Sequence, residues 1–303
     1  MLTIRKDIFY SRPARMLKRM FWYPLRKLWW PIAVKRAVQS ELPPVLVYHM
    51  GKVASSSIYA SLKRIPGLHV FQVCYLHPQN IAERSKHLQI NMEGENISYL
   101  FDCSKSVYSE LIESNLRIKV ITLVRDPIAR NVSGYFHSLS FYNNGEKVFK
   151  RLKQSDLINN FIYKFPHEIA LNWFDIEFKP ITGIDVYAYP FPQEQGYQVI
   201  SSGRFDILVM RHDLDDGVKK HCLSEFLEIN DIDIIRKNTA EEKSYSLIYR
   251  QFIQLLQFDR AFLNKMLDSK YASHFYLIQE REKYKAFWSG LKSEQTNVAA
   301  VDL

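Results

Sequence analysis

Residues 43–58 read Pro-Pro-Val-Leu-Val-Tyr-His-Met-Gly-Lys-Val-Ala-Ser-Ser-Ser-Ile. The apolar run Val45 to Tyr48 is typical of a buried strand, and Gly51 and Lys52 begin a turn that leads into a helical pattern. A helix N-terminus here presents backbone N–H groups, the positive end of the helix dipole and an ammonium group. The stretch therefore predicts a site for a phosphate or a sulfate-bearing group. Its predicted ligands are Gly51, Lys52, Val53, Ala54, Ser55, Ser56 and Ser57.

A second stretch has the same form. The apolar run 118–124 is followed by Arg125-Asp126-Pro127 and then by a helical pattern to about residue 142. We expect Asp126 to cap this helix and Pro127 to occupy its first turn. Arg125 supplies a bidentate fork, and Ser133, two turns into the helix, supplies a hydroxyl. The pair is placed to converge on one phosphate.

Strand patterns alternate with helical patterns along the first half of the chain, which predicts parallel βαβ units. We expect a helix at about 55–64, capped by Ser55 or Ser56. Ligands in such sheets bind beyond the carboxyl ends of the strands, so Lys52 and Arg125 should line one crevice. The fold class expected is α/β, with a P-loop-like three-layer arrangement, a central parallel sheet and a mainly helical C-terminal part. The predicted strands are 44–49, 69–75, 97–101, 118–124 and 205–210, with β-like patterns at 184–187 and 197–200.

The net charge of +9 belongs to one end of the chain. Residues 1–40 contain ten basic residues and one acidic residue, Asp7, whereas the remaining 263 residues contain 31 of each kind. A neutral body argues against nucleic-acid binding. We expect three parts: a basic, aromatic, amphipathic N-terminal appendage (1–40), a catalytic domain (41–291) and a flexible tail (292–303).

The appendage carries apolar residues at spacings of three and four, interleaved with basic residues and with Trp22, Trp29 and Trp30. This pattern is typical of a helix that lies on an anionic membrane surface, although docking onto the body and nucleic-acid binding are alternatives. No apolar run reaches the roughly 18–20 residues that span a bilayer. We therefore expect a cytoplasmic protein, peripheral on the inner face of the membrane. The apolar positions are Leu17, Met20, Phe21, Pro24, Leu25, Leu28 and Ile32.

Cysteine is sparse, with Cys74, Cys103 and Cys222 only. No two of them form a Cys-x-x-Cys pair, so the sequence gives no reason to expect a metal site. An odd and small number of cysteines suits a reducing compartment.

The two anion-binding stretches resemble those of sulfotransferases that use 3′-phosphoadenosine 5′-phosphosulfate. A nucleotide-triphosphate P-loop ends in Gly-Lys-[Ser/Thr] and has an earlier glycine, whereas here Gly-Lys opens the loop. The resemblance implies that the loop at Lys52 holds the 5′-phosphosulfate and that Lys52 neutralises the leaving oxygen. It also implies that Arg125 and Ser133 hold the 3′-phosphate. A late basic loop is implied to close over that phosphate, and it consists of Arg236, Lys237, Asn238 and Thr239.

Residues 171–177, 183–187 and 243–252 resemble a bacterial group of capsular polysaccharide sulfotransferases, and the whole resemblance covers roughly residues 44–260. It implies a PAPS-dependent enzyme that transfers a sulfuryl group to a hydroxyl of a glycan, in a capsular or other cell-surface polysaccharide or in a glycolipid. The donor brings its own leaving group, bisphosphoadenosine, so no metal is required.

A general base must take the proton of the acceptor hydroxyl. His77 is the preferred candidate because carbohydrate sulfotransferases, which this chain resembles, often place a Glu or His near that position. Glu83, His49 and His137 are the alternatives. For the acceptor we expect stacking on aromatic rings and hydrogen bonds to carboxylates, while core packing is the other interpretation of the same aromatics. The expected acceptor-binding residues are Trp173, Asp175, Glu177 and Tyr187.

Two other functions fit parts of the pattern. A P-loop nucleotide kinase requires magnesium and an acidic ligand after a strand, for which Asp102 and Asp126 are poorly placed. A non-catalytic, membrane-docked scaffold with a nucleotide-binding fold would tolerate loss of Lys52.

Overall fold

The computed structural model describes residues 23–91, 98–142, 152–235 and 245–290. The strands are β1 Val45–Tyr48, β2 Val70–Val73, β3 Ile118–Val124, β4 Tyr197–Ser202 and β5 Phe205–Arg211. The helices are α1 Tyr23–Val38, α2 Ser55–Leu62, α3 Pro78–Asn91, α4 Asp102–Val107, α5 Pro127–Tyr142, α6 Gln154–Lys164, α7 Ile169–Trp173, α8 Lys179–Thr182, α9 Asp216–Leu227, α10 Ser246–Leu255, α11 Arg260–Leu267, α12 Lys270–Phe275 and α13 Ile278–Trp288. Single π-helical turns extend α4 over Tyr108–Ile112 and α7 over Phe174–Phe178.

The five strands form one sheet in the order β2-β1-β3-β5-β4. The first four are parallel, with Val45 opposite Lys119 and Ile118 opposite Phe205, and only β4 runs antiparallel, beside β5. The chain leaves β1 toward β2 and later returns to its other side as β3. The loops that follow β1 and β3 therefore meet at the switch point, where open α/β sheets bind their ligands. The α/β class with a mostly parallel central sheet is confirmed.

The sheet is covered on both faces. Every residue of β1 and of β5 is buried, and so are all but one of β3. Because successive side chains of a strand point to opposite faces, continuous burial requires a layer of helices on each side. The sheet is thus the middle of three layers.

Helix α5 is fixed by a second apolar cluster, separate from the one around the sheet. Phe136 packs edge-on against Tyr249 and Phe252 of α10, with ring centroids 4.9 and 5.0 Å apart. Ile128 and Val132 are fully buried in the same cluster. This packing holds α5 against α10, so the residues of its first two turns have defined positions beside the sheet.

Two predicted strand segments are wrong. Residues 98–101 form a 3₁₀ turn, and the apolar Phe101 packs in a small cluster with Ile81 and Leu88 of α3 instead of joining the sheet. Residues 186–188 form another 3₁₀ turn, because the Asp185 carboxylate accepts a hydrogen bond from the Tyr187 backbone N–H at 3.0 Å. Short apolar runs do not distinguish these turns from strands.

Helix α1 includes most of the second half of the predicted appendage. It packs against α4, and Val34 and Ala37 are buried in the main core. Residues 1–22 and 291–303 lie outside the described part, and the predicted domain boundaries at 40 and 291 stay predictions. Among the residues described, no helix combines the length and the hydropathy that crossing a membrane needs.

Candidate active site

The loop between β1 and α2 has an unusual backbone. Gly51, Lys52 and Ala54 have positive φ angles of 80°, 63° and 59°. Glycine adopts this region freely, whereas each non-glycine residue there costs about 1–2 kcal/mol. Strain of this kind persists where the surroundings enforce it, and it is concentrated at ligand clamps and active sites. The loop lies at the carboxyl end of β1, where the topology places the ligand site.

Helix α2 begins directly after this loop without a side-chain cap. The cap position is Ala54, and no side chain accepts a hydrogen bond there. The prediction that Ser55 or Ser56 caps the helix is therefore wrong, because the left-handed Ala54 makes Ser55 the first helical residue. The first N–H groups of a helix have no partner within it and carry the positive end of its dipole. The Ser57 N–H donates to the Ala54 carbonyl oxygen at 3.0 Å, so the N–H groups of Ser55 and Ser56 are the ones that can serve an anion.

Two arginines hold the loop from one side. Arg130 donates hydrogen bonds from Nη2 to the carbonyl oxygen of Met50 at 2.7 Å and from Nε to that of Gly51 at 3.1 Å. Arg125 donates from Nη1 to the carbonyl oxygen of Lys52 at 3.0 Å. In a trans peptide the N–H points opposite to the C=O. The peptide N–H groups of residues 51–53 consequently face away from the two guanidinium groups.

A polar layer under the loop fixes its other side. His49 is buried, and its Nδ1 accepts a hydrogen bond from the Gly51 N–H at 2.9 Å. Gln72 of β2 faces His49 Nε2 at 3.2 Å and donates to the hydroxyl oxygens of Ser55 at 3.1 Å and Ser56 at 3.4 Å. One amide side chain thus links the loop's histidine to the hydroxyls of the helix start.

His49 does not suit the role of general base. Burial lowers its pKa to about 3, with smaller contributions from the charges of Arg130 and Lys52. Its Nδ1 is occupied by the Gly51 N–H, and its Nε2 faces Gln72. A neutral imidazole enclosed in this way supports the loop and offers no nitrogen to an acceptor hydroxyl.

The Lys52 side chain extends toward the second turn of α5. A Cβ atom built on Gly134 would lie 3.9 Å from Lys52 Cγ and 3.6 Å from Arg130 Nη1. Ser133, half-buried, directly precedes this glycine. The structure therefore brings Lys52, Arg130 and the α5 turn that carries Ser133 together. The sequence analysis expected the two anion-binding stretches to meet in this way.

Arg125 is also held through its backbone. The Tyr271 hydroxyl donates to the Arg125 carbonyl oxygen at 2.9 Å and accepts from the Arg125 N–H at 3.0 Å. The Asp126 carboxylate accepts from the Ile128 N–H at 2.9 Å and from Trp288 Nε1 at 3.1 Å. Asp126 is thus a cap of α5, as predicted, and Arg125 is rigidly placed at the end of β3.

His77 lies in the segment between β2 and α3, at the same edge of the sheet as the loop. Its backbone N–H donates to Glu177 Oε1 at 3.0 Å. The same carboxylate accepts from the Leu76 N–H and the Tyr48 hydroxyl, each at 2.5 Å, and from Asn80 Nδ2 at 2.6 Å. Four donors from β1, the segment and α3 converge on Glu177, which fixes the backbone that carries His77.

Glu177 was expected to bind the acceptor sugar. The structure argues against this role, because the Glu177 side chain is 0% exposed and its oxygens already accept hydrogen bonds from protein groups. Trp173 is also buried, and its Nε1 donates to the Cys74 carbonyl oxygen at 3.2 Å. Neither side chain offers a surface to a sugar in this structure. Both belong to the core, the other interpretation that the sequence left open.

The other two residues expected to bind the acceptor, Asp175 and Tyr187, are accessible at the surface. Asp175 is exposed, and one carboxylate oxygen lies 3.4 Å from Lys270 Nζ. The Lys270 ammonium lies 3.9 Å from the ring centroid of half-buried Tyr187. The structure joins these two residues through one lysine. The predicted loop of Arg236, Lys237, Asn238 and Thr239 lies outside the described residues.

Three residues of the site were missed by the sequence interpretation. Gln72 interrupts an apolar strand, and such a polar residue within a buried strand is a signal that could have been used. Arg130 follows Arg125 by five residues but was given no role. Tyr271 had no local signal, because its partner Arg125 is 146 positions away. Within the described ranges, no group of His, Cys, Asp or Glu residues is placed to hold a metal ion.

Two family models match the chain. The model of the sulfotransferase family matches residues 36–178, which contain both anion-binding stretches. A model described as "Putative capsular polysaccharide synthesis protein" matches residues 148–277. No curated protein and no solved structure is significantly similar to the chain. The two overlapping matches confirm the resemblance that the sequence motifs showed.

Proposed function

We propose that the chain is a sulfotransferase that uses 3′-phosphoadenosine 5′-phosphosulfate to sulfate a glycan hydroxyl. The matches to the sulfotransferase family model and to the capsular polysaccharide synthesis model support this proposal. The donor supplies the activated sulfuryl group and its own leaving group. The acceptor is a capsular or other cell-surface polysaccharide, or a glycolipid. Catalysis of such in-line displacements rests on positioning and on electrostatic stabilisation.

The observation that carries this proposal is the contact between the two anion loops. Arg125 Nη1 lies 3.0 Å from the carbonyl oxygen of Lys52, so the loop after β1 and the loop after β3 form one continuous wall. One nucleotide that has charge at both ends is long enough to touch both loops. The P-loop kinase alternative is not favoured, because the matching family is one of sulfotransferases.

The residues would divide the work as follows. The loop 51–57 would hold the 5′-phosphosulfate through Lys52 and the N–H groups of residues 52–56, since those of Gly51 and Ser57 bond His49 and the Ala54 carbonyl oxygen. The Lys52 ammonium would neutralise charge on the departing oxygen. Arg125 and Ser133 would hold the 3′-phosphate, with the basic loop 236–239 closing over it. The strained loop and the uncapped helix start fit an anion of this kind.

His77 is our candidate for the general base. The Glu177 carboxylate fixes its backbone at the sheet edge that also carries Lys52. Asp175 and Tyr187 remain candidates for the acceptor site, whereas the buried Trp173 and Glu177 belong to the core. A cytoplasmic location is part of the proposal, and the three free cysteines agree with a reducing compartment.

Calorimetry with two nucleotides tests the proposal. We expect 3′,5′-bisphosphoadenosine to bind at least about a hundredfold more tightly than adenosine monophosphate, because charge-assisted hydrogen bonds to the second phosphate contribute about 1.5–3 kcal/mol each. Arg125→Ala and Ser133→Ala should remove most of this difference. Arg117→Ala is the matched control, since Arg117 pairs with Asp206 at the opposite end of β3. Equal affinity for the two nucleotides would contradict the proposal.

A further inference from the structure

Helix α1 has two faces of different character. On the inner face Val34 and Ala37 are buried in the main core, and Trp30 packs against Phe71 of β2 with ring centroids 6.3 Å apart. These contacts fix the orientation of the helix on the body. The rotation of the opposite face is therefore also determined, and this face points away from the core.

The outer face carries large apolar side chains. Leu25, Leu28, Trp29 and Ile32 are exposed by 62%, 67%, 47% and 51%. Their spacings of three and four residues place them on one side of the helix. Isolated exposed apolar residues are normal, but four on consecutive turns form a continuous stripe, which is typical of a surface that contacts another apolar phase.

Positive charge accompanies the stripe. The helix contains Arg26, Lys27, Lys35 and Arg36 and no acidic residue. Arg36 follows Ile32 by four residues, so it continues the same face, and the ammonium of Lys63 lies 5.7 Å from the Trp29 ring centroid. Lys35 and Arg36 are both exposed, so the outer face is basic as well as apolar.

We propose that the outer face of α1 binds the surface of an anionic lipid bilayer, with the helix lying in the plane of the interface. Leucine, isoleucine and tryptophan side chains enter the boundary between head groups and acyl chains, while lysine and arginine contact anionic head groups. The charge selects this partner: a second copy would bring an equally basic face against the first. The proposal is independent of the reaction that the enzyme catalyses.

Vesicle flotation with the full-length protein tests the proposal. We expect binding to vesicles of phosphatidylcholine and phosphatidylglycerol in a three-to-one ratio, and at least about tenfold weaker binding to pure phosphatidylcholine. The double variant Leu28→Ser/Trp29→Ser should lose at least about tenfold in binding to the anionic vesicles. Leu255→Ser, which alters a leucine that is 58% exposed on α10, should bind like the wild type.

A charge variant separates the electrostatic contribution to membrane binding from the apolar one. Lys35→Glu/Arg36→Glu should weaken binding to anionic vesicles by at least about tenfold and reduce its dependence on salt. Circular dichroism and calorimetry with bisphosphoadenosine confirm that each variant is folded. Equal binding to both kinds of vesicle would overturn the proposal. So would a change of sedimentation mass without lipid in the Leu28→Ser/Trp29→Ser variant, because this would identify a second copy as the partner.

Discussion

Arg125 Nη1 donates a hydrogen bond to the carbonyl oxygen of Lys52 over 3.0 Å, although the two residues are 73 positions apart in the chain. The bond joins the ends of β1 and β3, which are neighbours in the sheet. It occupies one of the five N–H donors of the guanidinium. Arg125 therefore has a structural task in addition to the phosphate contact that we propose, and its loss should affect the loop as well as the nucleotide.

Arg130 has only the first of these tasks, the support of the loop, because its guanidinium bonds the carbonyl oxygens of Met50 and Gly51. We expect Arg130→Met to lower the free energy of unfolding by about 2–4 kcal/mol, since buried acceptors that lose their donors cost about 1–3 kcal/mol each. The affinity for bisphosphoadenosine should fall at least about tenfold. Urea denaturation and calorimetry measure the two effects.

The control for Arg130→Met is Arg117→Met. Arg117 also pairs with a neighbouring element, but its side chain is mostly exposed and lies at the other end of the sheet. Asp206 is buried, so its carboxylate loses its main partner and stability should fall by about 1–3 kcal/mol. Nucleotide affinity should change little, because the pair is remote from the anion loops. If the two variants lowered the affinity equally, Arg130 would have no special role in the loop.

The buried His49 makes the stability of the folded protein dependent on pH. Its pKa in the folded protein is about 3, below the ordinary value of 6.5, so only the unfolded chain takes up a proton as the pH falls through 6.5. This contribution to stability is complete above about pH 6.5 and is lost progressively toward pH 3. Between about pH 7.5 and 5.5 the wild type should lose about 1.4 kcal/mol more than His49→Asn.

Urea denaturation of both proteins at the two pH values measures this difference. Asparagine retains an oxygen that can accept the Gly51 N–H, so the variant is matched in hydrogen bonding. The carboxylates of the protein are common to both and cancel in the comparison. An equal loss of stability in the two proteins would show that His49 is protonated in the folded state.

The sequence predicted the site where local signals were strong. Val45–Tyr48 and Ile118–Val124 are apolar runs that end in a basic residue or a glycine turn, and alternation of strands and helices placed both ends at one edge. The supporting residues could not be predicted. Tyr48, Leu76 and Asn80 reach Glu177 from about 100 or more positions away. Such convergence depends on packing, which the order of residues does not reveal.

The error at the start of α2 has a different origin. Three serines before an apolar helix are typical of a side-chain cap, and local propensity favours one of them as the cap residue. The loop instead takes a left-handed conformation at Ala54, and the serine hydroxyls bond Gln72. The local preference for a serine cap is thus overridden by the backbone conformation of the whole loop. The side chains of Arg125, Arg130 and His49 hold that conformation by hydrogen bonds to peptide groups of residues 50–52.

Glu177 provides a test of the support beneath His77. Glu177→Gln keeps one acceptor oxygen but places an NH₂ group where the other oxygen accepted a hydrogen bond from Asn80 or from the backbone at residues 76–77. We expect a loss of about 1–3 kcal/mol in unfolding free energy and a lower kcat. Glu168→Gln, which removes an exposed pair with Lys265, should cost less than about 1 kcal/mol and leave kcat unchanged.

His77→Ala tests the general base directly. With Nδ1 of His77 buried, Nε2 is the nitrogen that could take a proton from an acceptor hydroxyl. We expect kcat for sulfuryl transfer to fall about 10²–10⁴-fold, while the Kd for bisphosphoadenosine stays within about twofold, because the base acts on the acceptor and not on the nucleotide. Added imidazole should restore part of the rate, since a free base can occupy the space of the missing ring.

Glu83→Gln and His137→Gln discriminate between the candidate bases under the same assay. His137 follows Ser133 by four residues and Glu83 follows His77 by six, but neither is fixed to Glu177 as the His77 backbone is. Each substitution should change kcat by less than about threefold, far below the effect expected of a base. A large loss of kcat in His137→Gln that imidazole does not restore, together with a mild effect of His77→Ala, would identify His137 of helix α5 as the general base.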